Sequence, residues 1–257
     1  MKQLTGFVDI HNHMMFGVDD GASSEEMTCE MLEIAYKDGI RGICLTPHFY
    51  NPMIKKREEI TFSVEKFERI KAFAAQRYPD MRFWCGNELF FHNDCLEKLD
   101  SGKCFTLGNS RYVLVEFFPD EEKQTICSGL QKLLKSGYVP VLAHIERYRC
   151  FYRKFDCIKL LSDDGVKIQI NASSVLGDFG VSCKHFTQKL LRCGLADFIA
   201  TDSHNKEERA PLLSECFEYV EKKYGLAVSY DVGYFSLDNA ENAVSLYIRN
   251  GHNNGKE

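Results

Sequence analysis

Short apolar runs of strand character alternate with segments of helical character along most of this chain, at a spacing of about 30 residues. Strands connected through helices pair in parallel and leave the helices outside, so the alternation predicts an α/β fold built on a parallel sheet. Either an open doubly wound sheet or a closed barrel fits this order. The predicted strands are 7–10, 42–48, 82–88, 111–117, 139–144, 166–171 and 196–204.

Helices are predicted between and after these strands. The first begins with a capping box, in which Ser23 is followed by Glu26, and it ends at Gly39. The others are predicted at 57–78, 121–136, 153–163, 183–193, 207–224 and 238–250. Because no linker, repeat or low-complexity stretch interrupts the series, residues 1–250 are predicted to form a single domain, with a polar tail at 251–257.

Charge and hydropathy exclude several classes of partner. The net charge is −5 and no block of like charges occurs, so there is no general electrostatic attraction to nucleic acid or to an anionic membrane surface. No apolar run reaches the length of a membrane-spanning helix, and no secretory signal is visible at the N-terminus. A cytoplasmic protein without membrane insertion is therefore expected, and its oligomeric state stays open.

The eleven cysteines do not form a recognisable framework. Their number is odd and no pair has Cys-x-x-Cys spacing, which favours reduced, mostly buried thiols over disulfides or a structural zinc cluster. None is followed six positions later by arginine, which excludes the loop of the cysteine-nucleophile phosphatases.

Each predicted strand ends in a polar residue of metal-ligand type. In parallel α/β folds the carboxyl ends of the strands share one face, and that face holds the active site. In a barrel these side chains would converge, whereas in an open sheet the outermost would lie too far apart, so the pattern favours the barrel. The residues are His11, His13, His48, Glu88, Glu116, His144, Asn171, Asp202 and His204.

The first strand supplies two of these residues at once. His11 and His13 are two apart, so in an extended segment both imidazoles face the same side. Asp19 and Asp20 follow and add carboxylates. A mixed His/Asp/Glu set without cysteine is typical of two or three catalytic divalent ions, Mn²⁺, Fe²⁺ or Zn²⁺, rather than of a closed structural zinc. Such ions can clamp the oxygens of an in-line displacement and activate a water.

Two arginines lie close to these ligands in sequence. Arg147 is three residues after His144, and Arg209 is five after His204. Their planar guanidinium groups are suited to bidentate phosphate binding, although surface ion pairs would also explain them.

Taken in combination, the motifs over residues 7–210 resemble the polymerase and histidinol phosphatase (PHP) superfamily. They are His11-x-His13, Asp20-Gly21, Thr-Pro-His48, Gly-x-Glu88, the strand ending in Glu116, His144-x-Glu-Arg147-Tyr and Thr-Asp202-x-His204. Within the superfamily, their order is similar to that of the bacterial capsule-type, manganese-dependent protein tyrosine phosphatases.

The resemblance implies a distorted (β/α)7 barrel of PHP type with a trinuclear metal centre. It implies that His11, His13, Glu88 and Asp202 hold one ion, and that Glu88 bridges to a second, completed by Glu116 and His144. Asp20, with Asp19 as the alternative, would hold the third ion together with His48 and His204. Arg147 and Arg209 would bind phosphate, and a metal-bridging hydroxide would attack phosphorus. The implied substrate is the phosphotyrosine tail of a capsule or exopolysaccharide tyrosine kinase.

Two positions depart from the usual pattern of the branch: Ile145 replaces a proline, and Ser203 replaces a frequent alanine. Neither change removes a ligand, but the first could shift Arg147.

Three other functions are alternatives to the protein tyrosine phosphatase. A small-molecule phosphatase such as histidinol phosphatase would keep the metal centre in a deep pocket. A nuclease would need a basic groove, which the net charge of −5 does not support. A non-catalytic metal-binding module would be expected to lack one or more ligands, yet every expected position is filled.

Overall fold

The computed structural model describes residues 6–53 and 62–224, together with the backbone of two short strands at 227–228 and 248–249. The strands are β1 (Phe7–Asp9), β2 (Ile40–Leu45), β3 (His48–Phe49), β4 (Arg82–Cys85), β5 (Glu88–Phe90), β6 (Tyr112–Glu116), β7 (Val139–Leu142), β8 (Lys167–Asn171), β9 (Phe198–Ala200), β10 (Ala227–Val228) and β11 (Ile248–Arg249). The helices are α1 (Glu25–Asp38), α2 (Val64–Arg77), α3 (Cys95–Asp100), α4 (Lys123–Lys135), α5 (Phe155–Asp163), α6 (Ala172–Leu176), α7 (Val181–Arg192) and α8 (Ser214–Tyr224).

The strands before β10 pair in parallel and form a curled sheet. One ladder runs in the order β1–β2–β4 and a second in the order β3–β5–β6–β7–β8–β9. Beyond the carboxyl ends of the first and last of these strands, Asn12 and Ser203 form an isolated parallel bridge. The mixed α/β fold with a parallel sheet is thus as predicted, and its curvature brings residues from both ends of the chain to one face.

Two predicted strands are each divided into two. The predicted strand 42–48 forms β2 and β3, and the predicted strand 82–88 forms β4 and β5. At the interruption, side-chain hydrogen bonds of Asn87 replace the backbone pairing between the two strands. Its Nδ2 donates to the Pro47 carbonyl at 2.9 Å, and its Oδ1 accepts the Phe105 N–H at 2.8 Å. Side-chain hydrogen bonds of this kind are not visible in a hydrophobicity pattern.

The ends of α1 illustrate what local sequence can specify. The N-cap is Ser24, whose hydroxyl accepts the Met27 N–H, so the N-cap lies one residue after the predicted Ser23, and the predicted capping box of Ser23 and Glu26 is wrong. The C-terminal end at Gly39 is as predicted, since this residue has a φ of 101°. Glycine adopts that left-handed conformation without a steric penalty.

The C-terminal predictions differ more from the structure. The helix predicted at 207–224 begins only at Ser214, because the Asp38 carboxylate accepts the N–H groups of Leu213 and Ser214 at 2.6 and 2.9 Å, and Pro211 disfavours helix just before it. The helix predicted at 238–250 lies outside the described residues except at 248–249, where β11 instead pairs antiparallel with β10. The predicted tail at 251–257 lies outside them too.

All eleven cysteines fall in the described part of the chain and none is bonded to another. Five are buried, five are partly buried and Cys193 is exposed, so the prediction that the cysteines are mostly buried is confirmed only in part. Among the described residues, no helix combines the length and the apolar composition needed to cross a membrane.

Candidate metal centre

The predicted ligands come together at the carboxyl ends of the strands. All of them are buried except Asp20, whose side chain is half exposed. Their ligand atoms form four overlapping groups, each with all atoms within 4.8 Å of one another: His13, Asp20, His48 and His204; His11, His144 and Asp202; His11, His13 and Glu88; and His48, Glu88 and Glu116.

His11 and His13 face Glu88 and Asp202. The Nε2 atoms of the two histidines lie 3.2 Å from the Glu88 oxygens and 3.5 and 3.4 Å from Asp202 Oδ1. That Asp202 oxygen is buried and has no hydrogen-bond partner. Atoms that share an ion at bond lengths of about 2.1 Å lie about 3 Å apart, so this donor set fits a divalent cation.

Glu88 continues the cluster towards β6 and β7. One of its oxygens lies 2.8 Å from His144 Nε2, and the other lies 3.1 Å from His48 Nδ1. His48 Nδ1 is also 3.0 Å from Glu116, whereas His144 Nε2 is 3.8 Å from Glu116. The closest cluster around Glu88 and Glu116 therefore contains His48, which the family resemblance assigns to a different ion.

The two consecutive aspartates have different surroundings. Asp20 lies 3.4 Å from His48 Nε2 and 3.5 Å from His204 Nε2, facing the cluster. Asp19 instead accepts a hydrogen bond of 2.7 Å from His13 Nδ1 and others from the N–H groups of Gly21 and His48. Asp19 thus orients the His13 ring so that Nε2 points at the centre, as carboxylates behind metal-bound histidines do.

Burial and neighbouring charges shift the pKa values of the cluster in both directions, upward for His11, His13 and His48 and downward for His144 and His204. Burial, and then Arg147, lower the pKa of His144 to about 4, and burial with His13 lowers the pKa of His204 to about 4. Both rings are therefore neutral at pH 7, which is the form that binds metals. Burial, followed by the Glu88 carboxylate, raises the pKa of Glu116. The resulting repulsion between carboxylates is relieved by a cation.

Sequence reasoning missed Gln169, which supports this cluster, and identified Asn171 only as a strand-end residue of metal-ligand type. Gln169 Oε1 accepts from His11 Nδ1 at 3.1 Å and from the His144 N–H at 2.8 Å. Its Nε2 donates to Asn171, which in turn donates to Asp202 Oδ2 at 3.0 Å. One signal is available, since Lys167, Gln169 and Asn171 alternate with two isoleucines, which places Gln169 on the same face of the strand as Asn171.

Backbone geometry brings these side chains into contact. His144 and Asp202 have φ angles of 31° and 51°, a left-handed conformation that is strained for residues with a side chain and is concentrated at functional sites. Gly21 is required for a different reason. A Cβ atom there would lie 2.0 Å from the His13 carbonyl oxygen, so only glycine permits this close approach.

The two predicted arginines converge on a single ligand. Arg147 and Arg209 both donate to Asp202 Oδ2, Arg209 at 2.8 Å, and each side chain is about one-third exposed. Arg209 also donates to the Asp202 carbonyl at 3.0 Å. Two fixed cations thus border the cluster on its solvent side, where an anion can reach them.

Comparison with known proteins identifies relatives of this chain. Tyrosine-protein phosphatase CpsB of Streptococcus agalactiae is 33% identical over 223 residues, covering 85% of this chain and 91% of that protein. Tyrosine-protein phosphatase YwqE of Bacillus subtilis (strain 168) is 29% identical over 243 residues, covering 95% and 92%. A solved structure from work on YwqE of Bacillus subtilis and CpsB of Streptococcus pneumoniae, described as unique metal-dependent tyrosine phosphatases, matches with a TM-score of 0.78 and 28% identity over 95% of both chains.

A family model gives the same assignment over nearly the whole chain. Residues 7–245 match the model described as capsular polysaccharide synthesis, CpsB/CapC. With this match and a relative of 33% identity that covers most of both chains, this chain belongs to the CpsB/CapC family of capsular polysaccharide synthesis.

Proposed function

We propose that this protein removes phosphate from the phosphotyrosine tail of a bacterial tyrosine kinase of capsule or exopolysaccharide export, with Mn²⁺ as its preferred ion. The chain is a tyrosine-protein phosphatase of the CpsB/CapC family, as predicted, and its relatives favour this function over histidinol phosphatase. The kinase tail, the choice of Mn²⁺ over Fe²⁺ or Zn²⁺, and action in the cytoplasm are our proposals. Eleven free cysteines are in keeping with a reducing compartment.

We also propose that the sheet closes into a distorted (β/α)7 barrel of PHP type. Counting β2 with β3 and β4 with β5 as continued strands gives seven strands up to β9. Support for closure comes from the Asn12–Ser203 bridge and from two backbone hydrogen bonds of 2.8 Å, from the Asp202 N–H to His11 and from the His13 N–H to Ser203.

In this proposal the cluster holds two or three ions. The ligands are the nine residues predicted from the sequence: His11, His13, Asp20, His48, Glu88, Glu116, His144, Asp202 and His204. When bound, divalent ions supply Lewis acidity and an activated water for in-line attack on phosphorus. Asp202 has two roles in this scheme, because one oxygen faces the histidines while the other accepts from the arginines.

Arg147 and Arg209 would bind the non-bridging oxygens of the phosphate. Both are anchored through Asp202 and both remain partly exposed, so their guanidinium groups are fixed before the substrate arrives. Preorganised cations stabilise negative charge that develops in the transition state more strongly than mobile ones do.

The observation that carries this function is the convergence of eight buried His, Asp and Glu side chains beside two partly exposed arginines. The test is phosphate release from a phosphotyrosine peptide after chelation and after re-addition of Mn²⁺, Fe²⁺, Zn²⁺ or Mg²⁺. Histidinol phosphate is run in parallel, and the number of ions bound per chain is measured by elemental analysis.

We expect release from the peptide that is highest with Mn²⁺, with two or three ions bound per chain. Release from histidinol phosphate alone would move the protein to small-molecule metabolism. The kinase-tail proposal is tested separately, by comparing peptides from a phosphorylated kinase tail with phosphotyrosine peptides of unrelated sequence. Equal turnover of the two kinds of peptide would contradict it.

A further inference from the structure

We propose that three aromatic residues, Tyr50, Phe90 and Phe118, bind the phenyl ring of the substrate and make the site selective for aryl over alkyl phosphate esters. We call these three residues the aromatic rim. The inference rests on the proposed function, since it deepens the assignment of phosphotyrosine as substrate.

The position of the rim follows from the sheet. Each of its residues comes two positions after a predicted metal ligand: Tyr50 after His48, Phe90 after Glu88 and Phe118 after Glu116. The strands β3, β5 and β6 are neighbours, with His48 paired to Glu88 and Phe90 paired to Glu116. Phe90 is therefore level with the ligand Glu116, while Tyr50 and Phe118 come just after the ends of β3 and β6, so the rim borders the ligands at the carboxyl edge of the sheet.

The three rings contact one another in a row. Phe90 is the central ring, with its centroid 6.3 Å from that of Tyr50 and 4.7 Å from that of Phe118, both edge to face. Phe90 is buried, whereas Tyr50 and Phe118 are 39% and 37% exposed. The rim therefore has two accessible rings, Tyr50 and Phe118, that pack against the buried Phe90. A substrate ring placed beside them can make edge-to-face contacts with the accessible rings.

The backbone around Tyr50 gives a second indication. Its φ is 56°, an unusual value for a bulky residue and one that persists where surrounding contacts hold it. The next residue supplies such a contact, since Asn51 Nδ2 donates to Glu116 at 3.0 Å and its Oδ1 accepts the Met53 N–H at 2.9 Å. The loop that carries Tyr50 is thus tied directly to a predicted metal ligand.

The substrate fits this division of the opening. Arg147 and Arg209 follow β7 and β9, while the rim residues lie at or just after the ends of β3, β5 and β6, so cations border one side of the cluster and rings the other. In phosphotyrosine one oxygen joins phosphorus to the ring, so a phosphate held at the arginines and the cluster places the ring next to the cluster, and the rim lies on the side away from the arginines. A phosphoserine ester has no ring there and gains nothing from the rim.

The test compares binding of two probes to the Mn²⁺-loaded protein by calorimetry. Phenylphosphonate carries the ring, and inorganic phosphate does not. The variants are Tyr50→Gly, because glycine tolerates the left-handed backbone, and Phe118→Ala. Leu160→Ala is the control, since Leu160 is an exposed apolar residue of the outer helix α5.

Each rim variant should weaken phenylphosphonate binding by about five- to tenfold, the size expected for one lost aromatic contact, and leave phosphate binding within about twofold. The Tyr50→Phe and Leu160→Ala variants should bind phenylphosphonate and phosphate with the same affinity as the wild type. Unchanged phenylphosphonate binding in both rim variants, or an equal loss for both probes, would overturn the inference. The wild-type preparation is also assayed on a phosphotyrosine peptide, and failure there would overturn the proposed function instead.

Discussion

The two ends of the curled sheet are built from different residues. At the start of the strands, buried apolar side chains such as Ile40, Val113 and Phe198 fill the interior. In the turn from α1 into β2, the residue with a left-handed backbone conformation is Gly39. Its carbonyl accepts the N–H groups of Gly6 and Phe7 at the start of β1. No strain is needed to make that connection.

At the carboxyl ends, the same sheet buries charged and polar groups and accepts strain. His144, Asp202 and Tyr50 are three of the five non-glycine residues with positive φ in the described part of the chain. Asp202 Oδ1 and His144 Nδ1 are buried without a hydrogen-bond partner. One end is therefore arranged for stability, and the other keeps unfavourable features that a metal centre and a substrate can use.

The largest expected effect comes from removing one charge at the carboxyl end of β9. Asp202→Asn keeps a side chain that tolerates the left-handed backbone but loses the carboxylate shared by the cluster and the arginines. We expect phosphotyrosine hydrolysis to fall by about a hundredfold or more, with the fold retained by circular dichroism. His48→Ala should act similarly.

The matched control for Asp202→Asn is Asp197→Asn, just before the start of the same strand. Asp197 bonds Lys167 Nζ at 3.1 Å and the Ile168 N–H at 2.9 Å, away from the cluster. Its kcat/KM should stay within about twofold of wild type, since no transition-state contact is lost. Comparable losses in both variants would remove the functional contrast between the two ends.

A smaller loss is expected when the support of the cluster is removed. Gln169→Leu deletes the oxygen that accepts from His11 Nδ1 and from the His144 N–H. We expect a reduction of about 10- to 100-fold in Mn²⁺ affinity, measured by calorimetry, because the His11 ring loses its orienting partner. The same substitution at Gln131 on the outer helix α4 should leave the affinity unchanged, and equal Mn²⁺ binding by both variants would show that Gln169 does not orient the ring.

At the other end of the sheet, substitution should affect stability alone. Gly39→Ala forces a Cβ into a φ of 101° and should lower the free energy of unfolding by about 1–2 kcal/mol, measured with urea. The activity of the folded protein should not change. Cys193→Ala, at the end of α7 with an ordinary φ of −87°, is the control and should shift stability by less than about 0.5 kcal/mol.

The smallest expected effect comes from relieving the backbone strain at His144. His144→Gly and His144→Ala both remove the imidazole, but only glycine relieves the backbone at a φ of 31°. Both variants should be nearly inactive, and the glycine variant should be more stable by about 0.5–1 kcal/mol in urea unfolding, although glycine elsewhere is usually destabilising. An alanine variant of equal or greater stability would mean that no strain is stored at this position.

Much of the candidate site could be read from the sequence because its ligand types recur at the ends of apolar runs. His11, Glu88 and Asp202 are examples, and the structure places His11 Nε2 3.2 Å from Glu88 and 3.5 Å from Asp202. Gln169, Asn51 and the orienting role of Asp19 were not predicted, since each acts through one hydrogen bond to a residue that the sequence does not identify as its partner.

The sequence by itself determined the order of strands and helices, the residue types that close each strand and the family, since periodicity, caps and motifs are local properties of the chain. Only the tertiary structure decided three features: the division of two strands near Asn87, the start of α8 at Ser214, where Asp38 accepts the backbone N–H groups, and which ligands face each other. His11 and Asp202 are 191 positions apart in the sequence, and they meet because the curvature of the sheet brings β1 and β9 together. That curvature arises from the summed twist and pairing of all the strands, which no short stretch of sequence contains.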